Sequence, residues 1–207
     1  MLSPKQITVF GTFLREPYRE RTYQEIKTLA HEKSNSVIQR AVAAFLRDGL
    51  VTKRSVGNNL LYKVNLSSPV VLAYFGLLAE VRLPRVASLS LGYIREELAG
   101  SFASVVVFGS YAEGKQTKDS DLDIAVFVES EAEKKLCERS LKAAATKAVL
   151  SIDGHVFTKD EMLAMLLDRQ ENLGKQIAKK HLAVHNQAIF YNLLADAIHR
   201  GFRPVPE

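Results

Sequence analysis

The 207-residue sequence holds a single cysteine, Cys137, which excludes an internal disulfide framework and a cysteine-built zinc cluster. Cys137 falls in a helical pattern with no positioned histidine partner, so it reads as a small packed residue and not as a nucleophile. Long apolar runs are missing too. The longest, Pro69 to Ala79, stops at Glu80, far short of the ~20 residues a membrane span needs. No charged-then-apolar leader opens the chain, from which a cytoplasmic location and no membrane partner are expected. Neither an internal repeat nor a low-complexity tract occurs. A composition that is 47% hydrophobic and 25% charged suits a soluble globular protein of one or two domains.

Acidic residues are scarce in one third of the chain. Residues 1–66 hold eleven Lys or Arg against five Asp or Glu, a net +6, while the remaining 141 residues hold seventeen against eighteen, a net −1. The basic character of the first third points to a nucleic-acid partner. In that third, Ile7, Phe10, Phe13 and Leu14 repeat at helical spacing after Ser3-Pro4. Thr22 with Glu25 forms a capping box for a second helix with Ile26, Leu29 and Ala30 on one face. A third opens at Asn35 or Ser36, with Val37, Ile38, Ala41, Val42, Phe45 and Leu46 inward, and closes at Gly49. Two strand-like runs joined at Gly57-Asn58-Asn59 follow as a hairpin.

This order of three helices and a hairpin resembles a winged helix-turn-helix domain, in which the third helix enters the major groove of duplex DNA and the hairpin touches its backbone. The resemblance implies DNA contacts from Ser34, Asn35, Ser36, Gln39 and Arg40 on the third helix, and from Lys53, Arg54 and Lys63 on the hairpin. A protein-binding role is the alternative, since such modules also serve protein interfaces.

Beyond it, Ser67-Ser68-Pro69 opens an apolar helix with Val70, Leu72, Tyr74, Phe75, Leu77 and Leu78, read as a connector. Pro84 restarts a helix carrying Val86, Leu89, Tyr93, Ile94 and Leu98, ended by Gly100. These two helices hold more apolar residues than a solvent-facing connector tolerates, so a homodimer is expected, with burial inside one chain as the alternative. The expected organisation is residues 1–66, a helical connector at 67–84, and a second domain at 85–207.

The second domain is organised around SVVVFGSYAEGKQTKDSDLDIAVFVE. Ser104 to Phe108 is a short β-branched run suited to a buried strand. It stops at Gly109-Ser110, ten polar or small residues follow (Tyr111 to Ser120), and a second run, Leu122 to Val128, carries Asp121 and Asp123 at its start. Strand side chains alternate, so the two carboxylates share a face roughly 6–7 Å apart. Two like charges placed so gain most by sharing a hard divalent cation, and Mg²⁺ is held by one or two carboxylates plus substrate phosphates. Gly109 lets backbone N–H groups approach a phosphate closely, and the Ser110 hydroxyl adds a donor.

Gly-Ser, ten residues, then Asp-x-Asp between two strands resembles the motif of the DNA polymerase β superfamily of nucleotidyltransferases, in particular its small prokaryotic members, over roughly residues 85–160. The resemblance implies an α/β (α+β) fold, a mixed sheet with packed helices. It also implies Mg²⁺ or Mn²⁺ as cofactor and a nucleoside triphosphate as substrate. The helical pattern from Glu131 to Val149 leads to a third strand, Ser151 to Phe157, and the resemblance places a third metal-binding carboxylate there, at Asp153. His155 shares a face with Asp153 and reads as a structural imidazole, with a proton carrier or a phosphate contact as the alternatives, while Gly154 weakens the strand. Glu113 departs from the family, whose members often carry a basic residue there; Lys115 or Lys118 compensates. The basic stretch Lys175, Lys179, Lys180 and His181 reads as solvated surface, with a role in holding substrate phosphates as the alternative, followed by a helix from Ala188 to Ile198, Gly201 and two prolines.

Together these readings imply an ATP-binding or other nucleoside-triphosphate-using transferase joined to a DNA-binding module. The rivals are a transcriptional regulator whose transferase fold senses nucleotide or is inactive, and an antitoxin-like enzyme with a protein acceptor. No motif identifies the acceptor.

Overall fold

A computed structural model describes residues 1–14 and 16–204; Pro206, the second proline of the tail, lies outside them. Four helices among the described residues begin where the sequence sets a hydroxyl residue three positions ahead of Glu or Gln. Ser3–Gln6, Thr22–Glu25, Ser130–Glu133 and Thr158–Glu161 each form a complete capping box, satisfying backbone N–H groups that a helix start leaves open. One compact unit runs from Met1 to Leu78 and a second begins at Ala79.

The first unit contains α1 (Pro4–Phe10), a 3-10 turn (Gly11–Phe13), β1 (Arg21–Thr22), α2 (Tyr23–Leu29), α3 (Asn35–Arg47), β2 (Val51–Val56) and β3 (Asn59–Val64). Its antiparallel sheet has the order β1-β3-β2. α3 ends in a Schellman arrangement: Gly49 takes φ +67°, its N–H bonds to the Leu46 carbonyl, and Leu50 N–H reaches back to Phe45. Phe10, Phe13, Ile26, Ile38 and Phe45 are fully buried, and the Phe10 ring meets Phe13, Phe45 and Phe75. Arg21 is buried as well, donating to the Glu16 and Arg19 carbonyls and lying over the Phe13 ring. Leu29, expected inward, is half exposed.

α4 (Pro69–Arg82) carries the chain into the second unit. There follow α5 (Arg85–Glu97), β4 (Ser104–Val107), α6 (Gly109–Glu113), β5 (Leu122–Val128), α7 (Glu131–Lys147), β6 (Ile152–Thr158), α8 (Lys159–Leu167), α9 (Leu173–Lys179), β7 (Leu182–His185) and α10 (Gln187–His199). The sheet is mixed, in the order β6-β5-β4-β7: β4 pairs antiparallel with β5 and β7, and β5 pairs parallel with β6 across the α7 crossover. Val105, Val106 and Val107 and the run Ile124–Phe127 are buried to within 1%, as an interior pair of strands requires. Gly154 serves packing: a Cβ there would lie 2.5 Å from Leu141 Cδ2, so its absence lets α7 close onto β6. On α5 the inward residues are Ala87, Ser90, Leu91 and Ile94, whereas Leu89 and Tyr93 face outward, as do Val70 and Leu77 on α4.

One core group responds to pH. His181 is buried, its Nδ1 3.0 Å from the Ile177 carbonyl, to which it therefore donates, and its Nε2 accepts from the Tyr191 hydroxyl at 3.2 Å. Desolvation pushes the imidazole down to about 4 from 6.5. It is neutral in the folded chain and takes up a proton on unfolding at any pH between those values. Stability is therefore complete above pH 6.5 and falls as pH drops towards 4, by about 3 kcal/mol in all. Urea unfolding at pH 7 and pH 4 should show this loss, and His181→Phe should remove that share of the pH dependence. An equal pH dependence in both proteins would rule it out.

Candidate active site

At the end of β4 the chain turns sharply at Gly109, whose φ is +62°. A Cβ on Gly109 would sit 2.0 Å from Asp123 Oδ2, so the Asp123 carboxylate occupies the space that any other residue would fill. The Ser110 backbone N–H bonds to that carboxylate, and Phe108 N–H donates to the Asp123 carbonyl at 3.1 Å. The Ser110 N–H is thus engaged by the protein, while its hydroxyl, the donor expected for phosphate, is not part of this contact.

Asp153 is the register partner of Asp123 on β6. Partners on adjacent strands share a face at about 4.8 Å spacing, so these two carboxylates are brought together. Asp121 lies one residue ahead of β5 and is exposed. Partial burial pushes Asp123 above the usual carboxylate range, and the charges of Asp153 and Asp121 push the same way; Ser110 N–H and His155 pull it back. His155 Nε2 is 3.4 Å from Asp153 Oδ1, while its ring stacks on Phe157 and lies against Phe108. Among the described residues no group of three or more His, Cys, Asp or Glu side chains is gathered tightly enough to hold a metal ion. The chemistry of Asp121, Asp123 and Asp153 nevertheless suits a hard cation: each is a carboxylate, and Asp123 carries the repulsion of both others. A groove of about 400 Å³ along α7 and β6 includes His155 and Gly154 but none of the three aspartates.

The ten polar or small residues from Tyr111 to Ser120 begin inside a helix. Tyr111 and Ala112 are buried within α6, which Gly114 ends in the left-handed conformation, because a tyrosine and an alanine here find the core. Past it, Thr117 N–H and the Ser120 hydroxyl close a turn at 2.9 Å. Glu113 Oε2 takes two ammonium groups, Lys115 at 2.7 Å and Lys180 at 3.1 Å, which hold its carboxyl below the usual range. Sequence reading placed Lys180 in the basic stretch but not beside Glu113, and nothing local signals that pairing, since 67 residues separate the partners.

Nor is the basic stretch a uniform solvated surface. Lys175 is buried, donating to the carbonyls of Asp168 and Gln170 beyond the end of α8; Lys179 pairs with Glu171, Lys180 with Glu113, and His181 is in the core.

In the first unit, Ser36, Gln39 and Arg40 are exposed on α3. Ser36 shares a hydrogen bond with Ser34, and Arg40 Nε donates to the Ser36 carbonyl. Gln39 and Asn35 open onto a groove of about 640 Å³ shared with Asn58, Asn59 and Tyr62. Lys53 and Lys63 are exposed on the hairpin. Arg54 forks onto Glu20 at 2.7 and 2.5 Å, so its guanidinium is already paired.

A family model described as nucleotidyltransferase domain matches residues 92–202. No curated protein and no solved structure matches the chain.

Proposed function

Because the chain belongs to the nucleotidyltransferase domain family, we propose that it moves a nucleoside monophosphate from a nucleoside triphosphate to a hydroxyl acceptor, with a divalent cation, and that its first unit binds duplex DNA. The observation that carries the transferase reading is the alignment of Asp123 with Asp153 beside a glycine that leaves no room for a side chain. In the reaction the acceptor oxygen bonds to the α-phosphorus, the bond from that phosphorus to the bridging oxygen breaks, pyrophosphate leaves and the acceptor's proton passes to water. Asp121, Asp123 and Asp153 would hold Mg²⁺ or Mn²⁺, which when bound supplies Lewis-acid stabilisation of charge on the phosphoryl oxygens. Gly109 and Ser110 fix Asp123 from one side, and the Ser110 hydroxyl remains to orient a phosphate. His155, stacked on Phe157 and 3.4 Å from the Asp153 carboxylate, steadies Asp153.

The test is to incubate the full-length protein with each labelled nucleoside triphosphate, with and without Mg²⁺ or Mn²⁺, and to follow pyrophosphate release and label transfer. Metal-dependent release supports the reading. Nucleotide binding without release in any combination favours the rival, a regulator that senses nucleotide, and label appearing on a protein favours a protein acceptor.

Support for a winged helix-turn-helix reading of the first unit comes from three helices followed by a hairpin, the β1-β3-β2 order and the +6 charge of residues 1–66. Duplex affinity of the full chain should fall steeply with salt, since basic residues act by releasing counterions. Arg40→Ala should weaken binding to a preferred sequence by about 5- to 100-fold. No binding to any duplex at low salt would favour a protein-interaction role. Homodimerisation is supported by the outward Val70, Leu77, Leu89 and Tyr93. Light scattering should then give twice the 23.1 kDa chain mass, and a concentration-independent single-chain mass would refute it.

A further inference from the structure

We infer that Glu113, Lys115 and Lys180 form a clip for the terminal phosphates of the substrate, in which the Glu113 carboxylate holds the place that an incoming phosphate takes over. The inference rests on the nucleotidyltransferase reading of the same site and names the groups that select a triphosphate.

A single oxygen, Glu113 Oε2, accepts from both ammonium groups. The trio therefore carries a net positive charge, concentrated at the end of α6 away from Gly109. Ser110 and Glu113 are three residues apart on that helix, hence on one face, and α6, at five residues, is only about 7 Å long. Lys115 N–H bonds back to the Ser110 carbonyl at 2.9 Å, which ties the lysine to the residue whose own N–H holds Asp123. An α-phosphate at the aspartates thus leaves its β- and γ-phosphates within reach of the clip.

These pairs are poor candidates for holding the fold together. Lys115 and Lys180 are 73% and 52% exposed, and ion pairs so placed add little stability. A weak resident pair is easily exchanged for a stronger anion: a terminal phosphate offers several acceptor oxygens and more than one negative charge, where the carboxylate offers one. Lys180 comes from the far side of the domain sequence, at the C-cap of α9. Lys175, five residues earlier on the same helix, is anchored on the Asp168 and Gln170 carbonyls. Glu113 thus answers for its own sign. It does not hold phosphate but occupies both ammonium groups until a phosphate displaces it.

The test uses calorimetry on the full-length protein with Mg²⁺ and two probes, ATP and inorganic tripolyphosphate, the latter independent of base preference, with AMP as control. Lys180→Met should weaken ATP and tripolyphosphate binding about tenfold, the usual cost of one charge-assisted hydrogen bond, and leave AMP unchanged. Glu113→Gln should strengthen both triphosphates severalfold, because the competing anion is gone. Unchanged ATP affinity in Lys180→Met, or an equal loss for AMP, overturns the clip while leaving the transferase reading intact. Weaker binding in Glu113→Gln also overturns it, showing the carboxylate to be a fixed support and not a placeholder. If the wild-type protein binds neither tripolyphosphate nor any of the four nucleoside triphosphates, the transferase reading itself falls, and the clip with it.

Discussion

Gly109→Ala should abolish turnover, by about 10²-fold or more, in a protein that still folds. Two penalties coincide at this residue. The backbone sits at φ +62°, where an L-residue costs roughly 1–2 kcal/mol. The new methyl would also land 2.0 Å from the Asp123 carboxylate oxygen, well inside any contact distance, so the carboxylate must swing away or the turn must open. Either movement displaces Asp123 by about an ångström, which at a reacting centre is enough to cost that factor. The measurement is pyrophosphate release alongside a thermal melt. A variant that turns over at the wild-type rate would show that the contact between Gly109 and Asp123 has no part in the chemistry.

Asp123→Asn should lower metal-dependent turnover even further, by about 10³-fold, beyond the 10- to 100-fold typical of losing a residue that merely supports a metal ligand. Asparagine keeps an oxygen for the Ser110 N–H while removing the charge, so the turn at Gly109 survives. Stability should move the opposite way. Asp123 is held above the ordinary carboxylate range by partial burial and by Asp153 and Asp121. Its charge therefore destabilises the folded chain at neutral pH, and that burden disappears as pH falls through the raised value. The neutral variant escapes it at every pH, so without added metal it should melt higher than wild type at pH 7. Gain of stability with loss of turnover marks a charge kept for chemistry. A variant that loses stability, or one that retains Mg²⁺-dependent ATP binding, would count against the metal role. Asp153→Asn should spare nucleotide binding more than turnover.

Features read by short-range chemistry were legible in the sequence. Thr22 with Glu25 and Thr158 with Glu161 announce helix starts because the capping bonds are local, and β4 and β5 announce themselves as unbroken apolar runs between turn residues. Strand spacing puts Asp123 and Asp153 on strands, but the register that sets them side by side depends on how α7 packs, which no local pattern encodes. β7, four residues following a basic stretch, was hidden for a similar reason: it becomes a strand only because β4 offers an edge. On α5 the apolar residues cover a wide arc, so spacing alone could not tell that Ala87, Ser90 and Leu91 face inward while Leu89 and Tyr93 do not. The link between Glu113 and Lys180 is the extreme case, a pairing that exists only in three dimensions.

The fit of Leu141 against Gly154 has a mutational side. Because the leucine fills the space that a methyl at 154 would claim, the two positions are coupled. A methyl at 154 would press on the Leu141 side chain, so Gly154→Ala should be tolerated better together with Leu141→Val than alone. Leu141, on a neighbouring helix, thus limits what the strand that carries Asp153 accepts one residue further on.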